Sequence, residues 1–379
     1  MPTCLGFSCC VSAARASSGA RAGAAAAEFA DFAAAGVGGD IFCAVLLPHG
    51  PDARLTAGGG RMTAQLNKNG ALGGRCNALA WAPDAPQGLL SAHADGCLYL
   101  WDVSAADAGP AAADAQAFVP LERGEAPPSF CGARSAKSAA RARWHVSRAA
   151  LTAIAFSPSA AGAGHAALAL ADAAGVVRVL TWPGAARPGE MVSLCCVRSY
   201  YSAVRALAWS PDSRFVAFGG EADLVEVLDV MAGGGRYAHV CAWGEGQHSS
   251  WVEAVAWTQL QAAKAHKAED EDEDGGNALA ALRVVSIGQD GRTVAWALPE
   301  ELCSTAAAQL SPPGVARRGS NCDAAEPSGP RSRRDIARLV PCGGGRSHSF
   351  PGAALACDEG SGACVAADVS GHVVLLQVR

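Results

Sequence analysis

Apolar residues alternate with small or polar residues in short runs along the chain, and each run predicts a β-strand with one buried face. Three runs end in an aromatic residue followed by a small residue and proline, which sets φ for a tight turn. A fourth run matches them but lacks the proline. The four are CNALAWAPD (76–84), LTAIAFSPS (151–159), VRALAWSPD (204–212) and WVEAVAWTQ (251–259).

A second pattern follows these runs and predicts two further strands joined by a tight turn rich in Asp and Gly. A weaker unit lies at 41–67. The clear copies are LLSAHADGCLYLWDV (89–103), LALADAAGVVRVLTW (168–182), VAFGGEADLVEVLDV (216–230), VVSIGQDGRTVAWAL (284–298) and VAADVSGHVVLLQVR (365–379).

Such a repeat predicts an all-β fold, because four-stranded sheets stacked radially bury faces that a single sheet would leave exposed. A period of about 40–45 residues is typical of a WD-repeat β-propeller blade, and insertions lengthen it in this chain. Six blades are visible in the sequence. We expect seven in all, the last one eroded or assembled from both termini.

One copy carries a set of polar residues that WD-type blades join in a hydrogen-bonded network. His248 lies in the loop before a first strand, Ser286 on the second strand, Asp290 in the turn and Trp296 on the third strand. The Ser, His and Asp would also fit a hydrolase triad, but G-x-S-x-G occurs nowhere in the chain. We therefore interpret these residues as a structural network that stiffens the blade.

Asp95 and Trp101 repeat the six-residue spacing of Asp290 and Trp296, and they are assigned to the same kind of network. The other copies depart from it. Ala174 and Ala222 stand where the turn Asp belongs, and Leu228 replaces the Trp. We expect packing, rather than a polar network, to hold those blades together.

The composition changes outside these strands. Residues 1–40 are rich in Ala, Ser and Arg and are predicted to be a disordered extension, with an organelle-targeting peptide as the alternative. Residues 41–379 form the predicted propeller. Its insertions are expected at about 104–143, 261–277 and 303–336, and the acidic run in the second is predicted to be a solvated loop or a docking tail.

Charge and motifs narrow the function classes. A net charge of −5 argues against nucleic acid as the main partner, and no run is long and apolar enough to predict a membrane span. The 15 cysteines form no C-x-x-C, so reduced thiols are expected rather than a zinc site. With no phosphate loop or metal motif, we expect no enzyme activity, cofactor or metal, and a cytoplasmic or nuclear location.

The segments SYYSAVRALAWSPDSRFVAFGGEADLVEVLDV (199–230) and GEGQHSSWVEAVAW (244–257) are more specific than a generic repeat. They resemble the WD-repeat family that binds and activates ubiquitin-specific proteases, which includes the fungal catabolite-repression and vertebrate dystrophia myotonica WD-repeat proteins. The resemblance covers roughly residues 65–379 and is weak at 303–364. Residues 1–40 do not share it.

That resemblance implies a non-catalytic scaffold that binds a ubiquitin-specific protease and activates it allosterically. It also implies a chain that is monomeric within a hetero-complex, where another WD-repeat activator can take part. The family docks through exposed aromatic residues, whose positions match Tyr201, where the family has Phe, and Trp251. The alternative for Trp251 is packing between blades.

Two other functions remain open. One is a scaffold for some other protein partner, since a propeller fold does not fix its partner. The second is a substrate receptor of a cullin-type ubiquitin ligase, which often carries W-D-x-R at the end of a third strand. The corresponding residues in this sequence are Trp101-Asp102-Val103-Ser104, with Ser in place of Arg.

Overall fold

A computed structural model describes much of the chain and divides it into two compact units, Met1–Leu207 and Ala208–Arg379. Among the described residues, no helix has the length and apolar character needed to cross a membrane. The described residues are 11–17, 29–35, 41–46, 60–67, 72–85, 88–103, 116–118, 140–158, 166–185, 189, 191–198, 202–230, 239–260, 281–299, 302, 336–358 and 361–378.

The first unit is built from strands. They are β1 (Val11–Ser17), β2 (Phe29–Ala35), β3 (Ile41–Leu46), β4 (Gly60–Leu66), β5 (Cys76–Trp81), β6 (Gly88–His93), β7 (Cys97–Asp102), β8 (Gln116–Phe118), β9 (Ala140–His145), β10 (Leu151–Phe156), β11 (Ala167–Asp172), β12 (Val176–Thr181) and β13 (Ser193–Arg198).

The second unit is also built from strands. They are β14 (Val204–Trp209), β15 (Phe215–Gly220), β16 (Val225–Asp229), β17 (His239–Gly244), β18 (Val252–Leu260), β19 (Ala281–Gly288), β20 (Arg292–Ala297), β21 (Ala337–Arg338), β22 (Val340–Arg346), β23 (Gly352–Cys357), β24 (Ala363–Asp368) and β25 (Val373–Gln377). The boundary between the two units falls within β14.

These strands form six sheets within the described part of the chain. Consecutive strands pair in antiparallel orientation, as in β6–β7 and β19–β20, whereas β8 and β21 join a sheet edge in parallel. From the first to the sixth, the strand orders are β1-β2-β3-β4, β5-β6-β7-β9-β8, β10-β11-β12-β13, β14-β15-β16-β17-β21, β18-β19-β20-β22 and β23-β24-β25.

The repeat predicted from sequence is confirmed at the level of its strands. The four aromatic-ended runs form β5, β10, β14 and β18, and the two-strand pattern forms β6–β7, β11–β12, β15–β16, β19–β20 and β24–β25. The weaker unit at 41–67 contains the hairpin β3–β4. A seventh blade stays a prediction.

Neighbouring sheets pack through their apolar faces within each unit. Ile41 and Leu66 of the first sheet meet Tyr99 and Trp101 of the second in one buried cluster. Leucines on β6, β7, β11 and β12 form another, and each buried leucine contributes roughly 1.5–3 kcal/mol. In the second unit, Val285 and Ala295 lie in a cluster with Cys364.

Single hydrogen bonds also link neighbouring sheets at the ends of strands. In the first unit, the Trp182 indole donates to the Asp84 carboxylate over 2.7 Å, and the Asn77 amide donates to the Leu151 carbonyl over 2.7 Å. In the second unit, the Trp257 indole donates to the Ala208 carbonyl over 3.0 Å. These polar side chains are therefore paired across the sheet interfaces.

Two segments that the sequence predicts to lie outside the blade strands contain strands. Strands β1 and β2 lie inside residues 1–40, where the sequence predicts an extension, and they pair with β3 and β4 in one sheet. Alternating Ala with Ser or Phe gives a weak apolar contrast, so the pattern hides these strands. In the insertion predicted at 104–143, β8 is present and β9 begins at Ala140. The insertion at 261–277 lies outside the described residues, as does nearly all of 303–336.

Within the described ranges, six cysteines are free thiols, as expected, and one pair departs from that expectation. Cys357 and Cys364 face each other across β23 and β24 and form a disulfide, with Cα atoms 4.1 Å apart. The sequence missed this pair because only strand register brings the two residues together. Free cysteines include Cys76 and Cys241, where burial raises the pKa of each thiol to about 12 and keeps it protonated.

The packing of the tight turn between β6 and β7 can be tested by substitution of its glycine. Gly96 has φ of +77°, and a Cβ there would overlap the Ser147 carbonyl oxygen, whereas Gly74 has φ of +63° and open space around it. We expect Gly74→Ala to cost about 1–2 kcal/mol for the left-handed backbone alone. Gly96→Ala should cost about 1–3 kcal/mol more, because it adds overpacking. Urea denaturation measures both, and equal losses would contradict the packing of this turn.

Candidate functional site

The polar residues of the fifth sheet form one connected network. The imidazole of His248 lies with Nε2 2.8 Å from Ser286 Oγ and with Nδ1 3.3 Å from Asp290 Oδ1. The indole Nε1 of Trp296 donates to the same Ser286 Oγ over 2.9 Å. His248, Ser286 and Trp296 are buried, so this hydroxyl joins the second strand, the third strand and the preceding loop inside the blade.

The order of these contacts is that of a hydrolytic triad, since His248 lies between a serine and a carboxylate. A nucleophile must be accessible to substrate, however, and Ser286 is 0% exposed. Its oxygen also accepts a hydrogen bond from Trp296, which covers it within the blade. This constellation therefore serves packing rather than nucleophilic attack.

The ionisation of the network is fixed by burial and by backbone donors. Burial lowers the pKa of His248 below its usual 6.5, which outweighs the opposing attraction of Asp290. Burial raises the pKa of Asp290, but the backbone N–H groups of Ser249 and Arg292 and the nearby His248 bring it below 3.8 overall. At neutral pH the pair is a neutral imidazole beside a carboxylate.

Asp290 also holds the loop that leads into β18. Its Oδ2 accepts the backbone N–H of Ser249 over 2.8 Å, and the preceding residue of the turn, Gln289, donates its backbone N–H to the Trp251 carbonyl over 2.8 Å. The Gln289 side chain donates to Glu253 over 2.6 Å. The loop between His248 and β18 is thus fixed to the β19–β20 turn at Ser249 and Trp251, and Glu253 adds a contact from β18 itself.

Trp251 is presented by this loop. Its side chain is 39% exposed and lies immediately before β18, among the exposed large apolar residues of the described chain. Tyr201, the second predicted docking residue, lies outside the described residues, and the neighbouring Ser202 is exposed. The structure therefore describes the surroundings of one of the two predicted anchors.

The second sheet uses a different set of residues. Trp101 donates to Ser91 Oγ over 2.7 Å, and Ser91 Oγ lies 2.8 Å from His93 Nε2. The histidine thus comes from the second strand rather than from the loop. Asp95 is not part of this chain of bonds, because it accepts from the Tyr99 hydroxyl over 2.7 Å and from the backbone of the turn. In this sheet Asp95 and Trp101 therefore take part in two separate sets of hydrogen bonds.

The third sheet has a polar network where the sequence predicted packing alone. Asp172, at the end of β11, accepts from Ser147 Oγ and from Arg178 over 2.7 Å each, and from two backbone N–H groups of the turn. It is buried. Ala174 stands at the position of the usual turn Asp, and Asp172, two residues earlier, supplies the carboxylate in its place.

The fourth sheet, which has Ala222 and Leu228, is held differently. Arg214 donates to the buried Asp229 over 2.9 Å, and its guanidinium lies 4.5 Å from the centre of the Phe215 ring. The expectation that packing alone holds the degenerate blades therefore needs correction in this sheet too. An ion pair at the strand ends accompanies the packing.

One register position accounts for several of these differences. Gly288, His93 and Asp172 each end a second strand and pair with the first residue of the first strand. A Cβ at Gly288 would lie 2.7 Å from both Asp290 Oδ1 and His248 Nδ1. The contact between a loop histidine and a turn aspartate therefore requires glycine at this position. In the second and third sheets, the side chains of His93 and Asp172 stand at this position instead.

Comparisons with known proteins agree with these sheets. The family model described as WD domain, G-beta repeat, matches residues 66–102 and 194–224. Solved structures with a similar fold include Sqt1 from Chaetomium thermophilum, with 16% identity, a TM-score of 0.52 and coverage of 92% of this chain and 68% of that one.

Two other solved structures are similar to the same extent. Chaetomium thermophilum Sqt1 bound to the N-terminus of the ribosomal protein L10 has 15% identity and a TM-score of 0.51, and covers 92% of this chain and 68% of that one. A chain of the Mitotic Checkpoint Complex has 11% identity and a TM-score of 0.50, with 93% and 74% covered. The protein has an all-β fold of the WD-repeat β-propeller class.

The shared hydroxyl of Ser286 generates a stability prediction. Ser286→Ala removes the acceptor of the Trp296 indole and the partner of His248, leaving two buried polar groups unpaired. We expect a loss of about 1–3 kcal/mol in the free energy of unfolding. Ser202→Ala, at an exposed position, is the matched control and should stay within about 0.5 kcal/mol of wild type. If urea denaturation gave the same free energy of unfolding for Ser286→Ala and wild type, the network would contribute nothing to stability.

The lowered pKa of His248 generates a pH prediction. The unfolded chain takes up a proton on this residue near pH 6.5, whereas the folded chain does so only at lower pH. The contribution of His248 to the free energy of unfolding is therefore complete above pH 6.5. As the pH drops from about 6.5 to 5, the free energy of unfolding should fall by up to about 1.4 kcal/mol per pH unit for each such histidine.

His93 should contribute to the loss of stability over the same pH range, because burial also lowers its pKa. Asp290 does not, since its pKa lies below 3.8. Urea denaturation at a series of pH values tests this expectation. A free energy of unfolding that stays constant between pH 7.5 and 5 would contradict the buried neutral imidazoles.

Proposed function

We propose that this protein is a non-catalytic WD-repeat scaffold that binds a protein partner through the loop face carrying Trp251. The observation that carries the proposal is an exposed indole on a loop fixed by Asp290 and Gln289. Tryptophan is among the commonest anchors of protein interfaces, because it buries a large area with few rotatable bonds. A fixed loop lowers the entropy lost on binding.

A protein-binding function is also supported by the burial of Ser286 and by the net charge of the chain. Ser286, whose contacts with His248 and Asp290 have the order of a hydrolytic triad, is enclosed in the blade. The net charge of −5 disfavours a phosphate backbone as partner. We expect no cofactor to be needed for this function, and we place the protein in the cytoplasm or nucleus.

For the identity of the partner, we infer a ubiquitin-specific protease. The resemblance of residues 199–257 to the family that binds and activates such proteases supports this choice, and so does the exposure of Trp251 at a docking position of that family. Tyr201 supplies the second aromatic face, with a hydroxyl that the family's Phe lacks. The protease would be activated allosterically within a hetero-complex, where another WD-repeat activator can take part.

Another protein partner is the second candidate. The Sqt1 structure contains the N-terminus of the ribosomal protein L10, so a propeller of similar fold accepts a peptide segment of a quite different protein. A role as a cullin-ligase receptor has less support, because Asp102 is followed by Val103 and Ser104 and the required Arg is missing.

The test is an affinity purification of the tagged full chain from its own cells, with wild type beside Tyr201→Ala/Trp251→Ala. The co-purified proteins are identified by mass spectrometry, and the eluate is assayed with a fluorogenic ubiquitin substrate. We expect a ubiquitin-specific protease and its activity in the wild-type eluate. Removing two anchors should weaken binding by at least about 2 kcal/mol, or roughly 30-fold, and deplete both signals.

Val192→Ala is the matched control, because Val192 is an exposed apolar residue of the first unit, away from this loop in the sequence. It should retain the partner. A protein other than a protease that is lost only in the double variant would support the scaffold and overturn the identity of the partner. A partner retained by the double variant would overturn the docking face, and circular dichroism of each variant excludes loss of fold.

A further inference from the structure

Three potential metal ligands come together at the turn of the sixth sheet. His348 lies in the loop before β23, Asp368 ends β24, and His372 follows the β24–β25 turn. One imidazole nitrogen from each histidine and one carboxylate oxygen all lie within 4.8 Å of one another. His348 and Asp368 are buried, and His372 is exposed.

The third sheet shows how this position is satisfied without a ligand. Asp368 pairs with the first residue of β23 as Asp172 pairs with the first residue of β10, so the two carboxylates are equivalent. Both oxygens of Asp172 are occupied: Oδ1 by two backbone N–H groups, and Oδ2 by Ser147 and the cation Arg178.

Asp368 keeps the turn contacts but not the others. Its Oδ1 accepts from the Ser370 hydroxyl over 2.6 Å and from the backbone N–H groups of Ser370 and His372. Its Oδ2 is buried and has no hydrogen-bond partner among the described residues. A buried carboxylate oxygen without a donor or cation is costly, and such groups are rare in folded proteins.

Histidines stand near this carboxylate where the third sheet has a hydroxyl and a guanidinium. The backbone N–H of His348 donates to the Gly291 carbonyl as that of Ser147 donates to the Gly96 carbonyl, so the two residues are equivalent. The Arg178 position, six residues after the aspartate, is Val374 in the sixth sheet. No arginine thus balances Asp368 from that position.

We propose that His348, Asp368 and His372 bind a divalent transition-metal ion such as Zn²⁺, with one coordination position open to solvent or to a partner. Imidazole nitrogens and a carboxylate oxygen are ligands that zinc prefers, and three protein ligands leave the fourth position free. The ion occupies the place that Arg178 fills in the third sheet and neutralises the carboxylate.

The surroundings of His348 fit this role. Its Nδ1 lies 2.8 Å from Ser347 Oγ, which in turn lies 2.7 Å from Thr293 Oγ1, and this chain of contacts fixes the ring. Metal-bound histidines usually have such a partner on the second ring nitrogen. Nε2 has only a long contact of 3.3 Å to the Ala366 carbonyl among the described residues, so a metal can take its place.

The separation of the ligands is compatible with an ion. Zinc bonds to nitrogen and oxygen are about 2.0–2.2 Å long, so bound ligands must lie closer together than 4.8 Å. His372 is exposed, so its side chain has room to rotate toward His348 and Asp368 when an ion binds. The site is independent of the proposed partner of Trp251.

The test is Zn²⁺ binding by the purified full chain after treatment with a chelator, measured by competition with a chromophoric chelator. Wild type should bind one ion at this site. Loss of a residue that only supports a metal ligand commonly costs about 10–100-fold in affinity. Loss of a ligand itself, as in His372→Ala, should therefore weaken binding at least about tenfold. His145→Ala, which removes a half-buried histidine of the second sheet, is the matched control and should bind as wild type does.

Because the chain has 15 cysteines, Co²⁺ is the spectroscopic probe that separates this site from thiols. Wild type should show a Co²⁺ spectrum without a thiolate charge-transfer band, and His372→Cys should retain binding and gain that band. Equal affinities of wild type and His372→Ala, or a thiolate band in the wild-type spectrum that accounts for all bound Co²⁺, would overturn the proposal.

Discussion

The hydroxyl of Ser286 is the contact on which the fifth sheet and its loops depend. It lies within hydrogen-bond distance of Trp296 on the third strand and of His248 in the loop before the first strand. Through His248 and Asp290 the network continues to the backbone of Ser249, and so to the loop that carries Trp251. Because His248, Ser286 and Trp296 are buried, each partner lost among them leaves an unpaired polar group at a cost of about 1–3 kcal/mol. The interior of the blade therefore determines where its exposed indole lies.

The other sheets meet the same constraint with other residues. The space that His248 and Asp290 share above Gly288 is occupied by His93 in the second sheet, by Asp172 in the third and by Asp368 in the sixth. Asp172 has Ser147 and Arg178 as partners, whereas Asp368 has two imidazoles near it and an unpaired oxygen. The third and sixth sheets therefore carry an aspartate at the second-strand end, and the residues around it decide whether its carboxylate is paired with an arginine or left open to an ion.

The strands were predictable because alternation and aromatic-proline ends are local signals. β5, β10, β14 and β18 match their predicted runs, whereas β1 and β2 were missed because alanine-rich alternation has little apolar contrast. The Ser286 network could be expected because its residues stand at the positions that WD-type blades join by hydrogen bonds. Asp172 and Asp368 could not, since their role depends on strand register, although the sequence does place an Asp at the end of both second strands. The exposure of Trp251 also depends on packing that a sequence cannot supply.

The amide of Ser249 offers the most direct measurement of this account, because its exchange with solvent reports whether the buried network holds the binding loop. Ser249 is exposed, yet its N–H donates to Asp290 Oδ2 over 2.8 Å. Hydrogen exchange resolved to this amide should show protection comparable with that of the β18 and β19 amides, since opening the bond requires opening of the network. Exchange as fast as in an unstructured peptide would contradict the claim that the interior of the blade fixes the loop of Trp251.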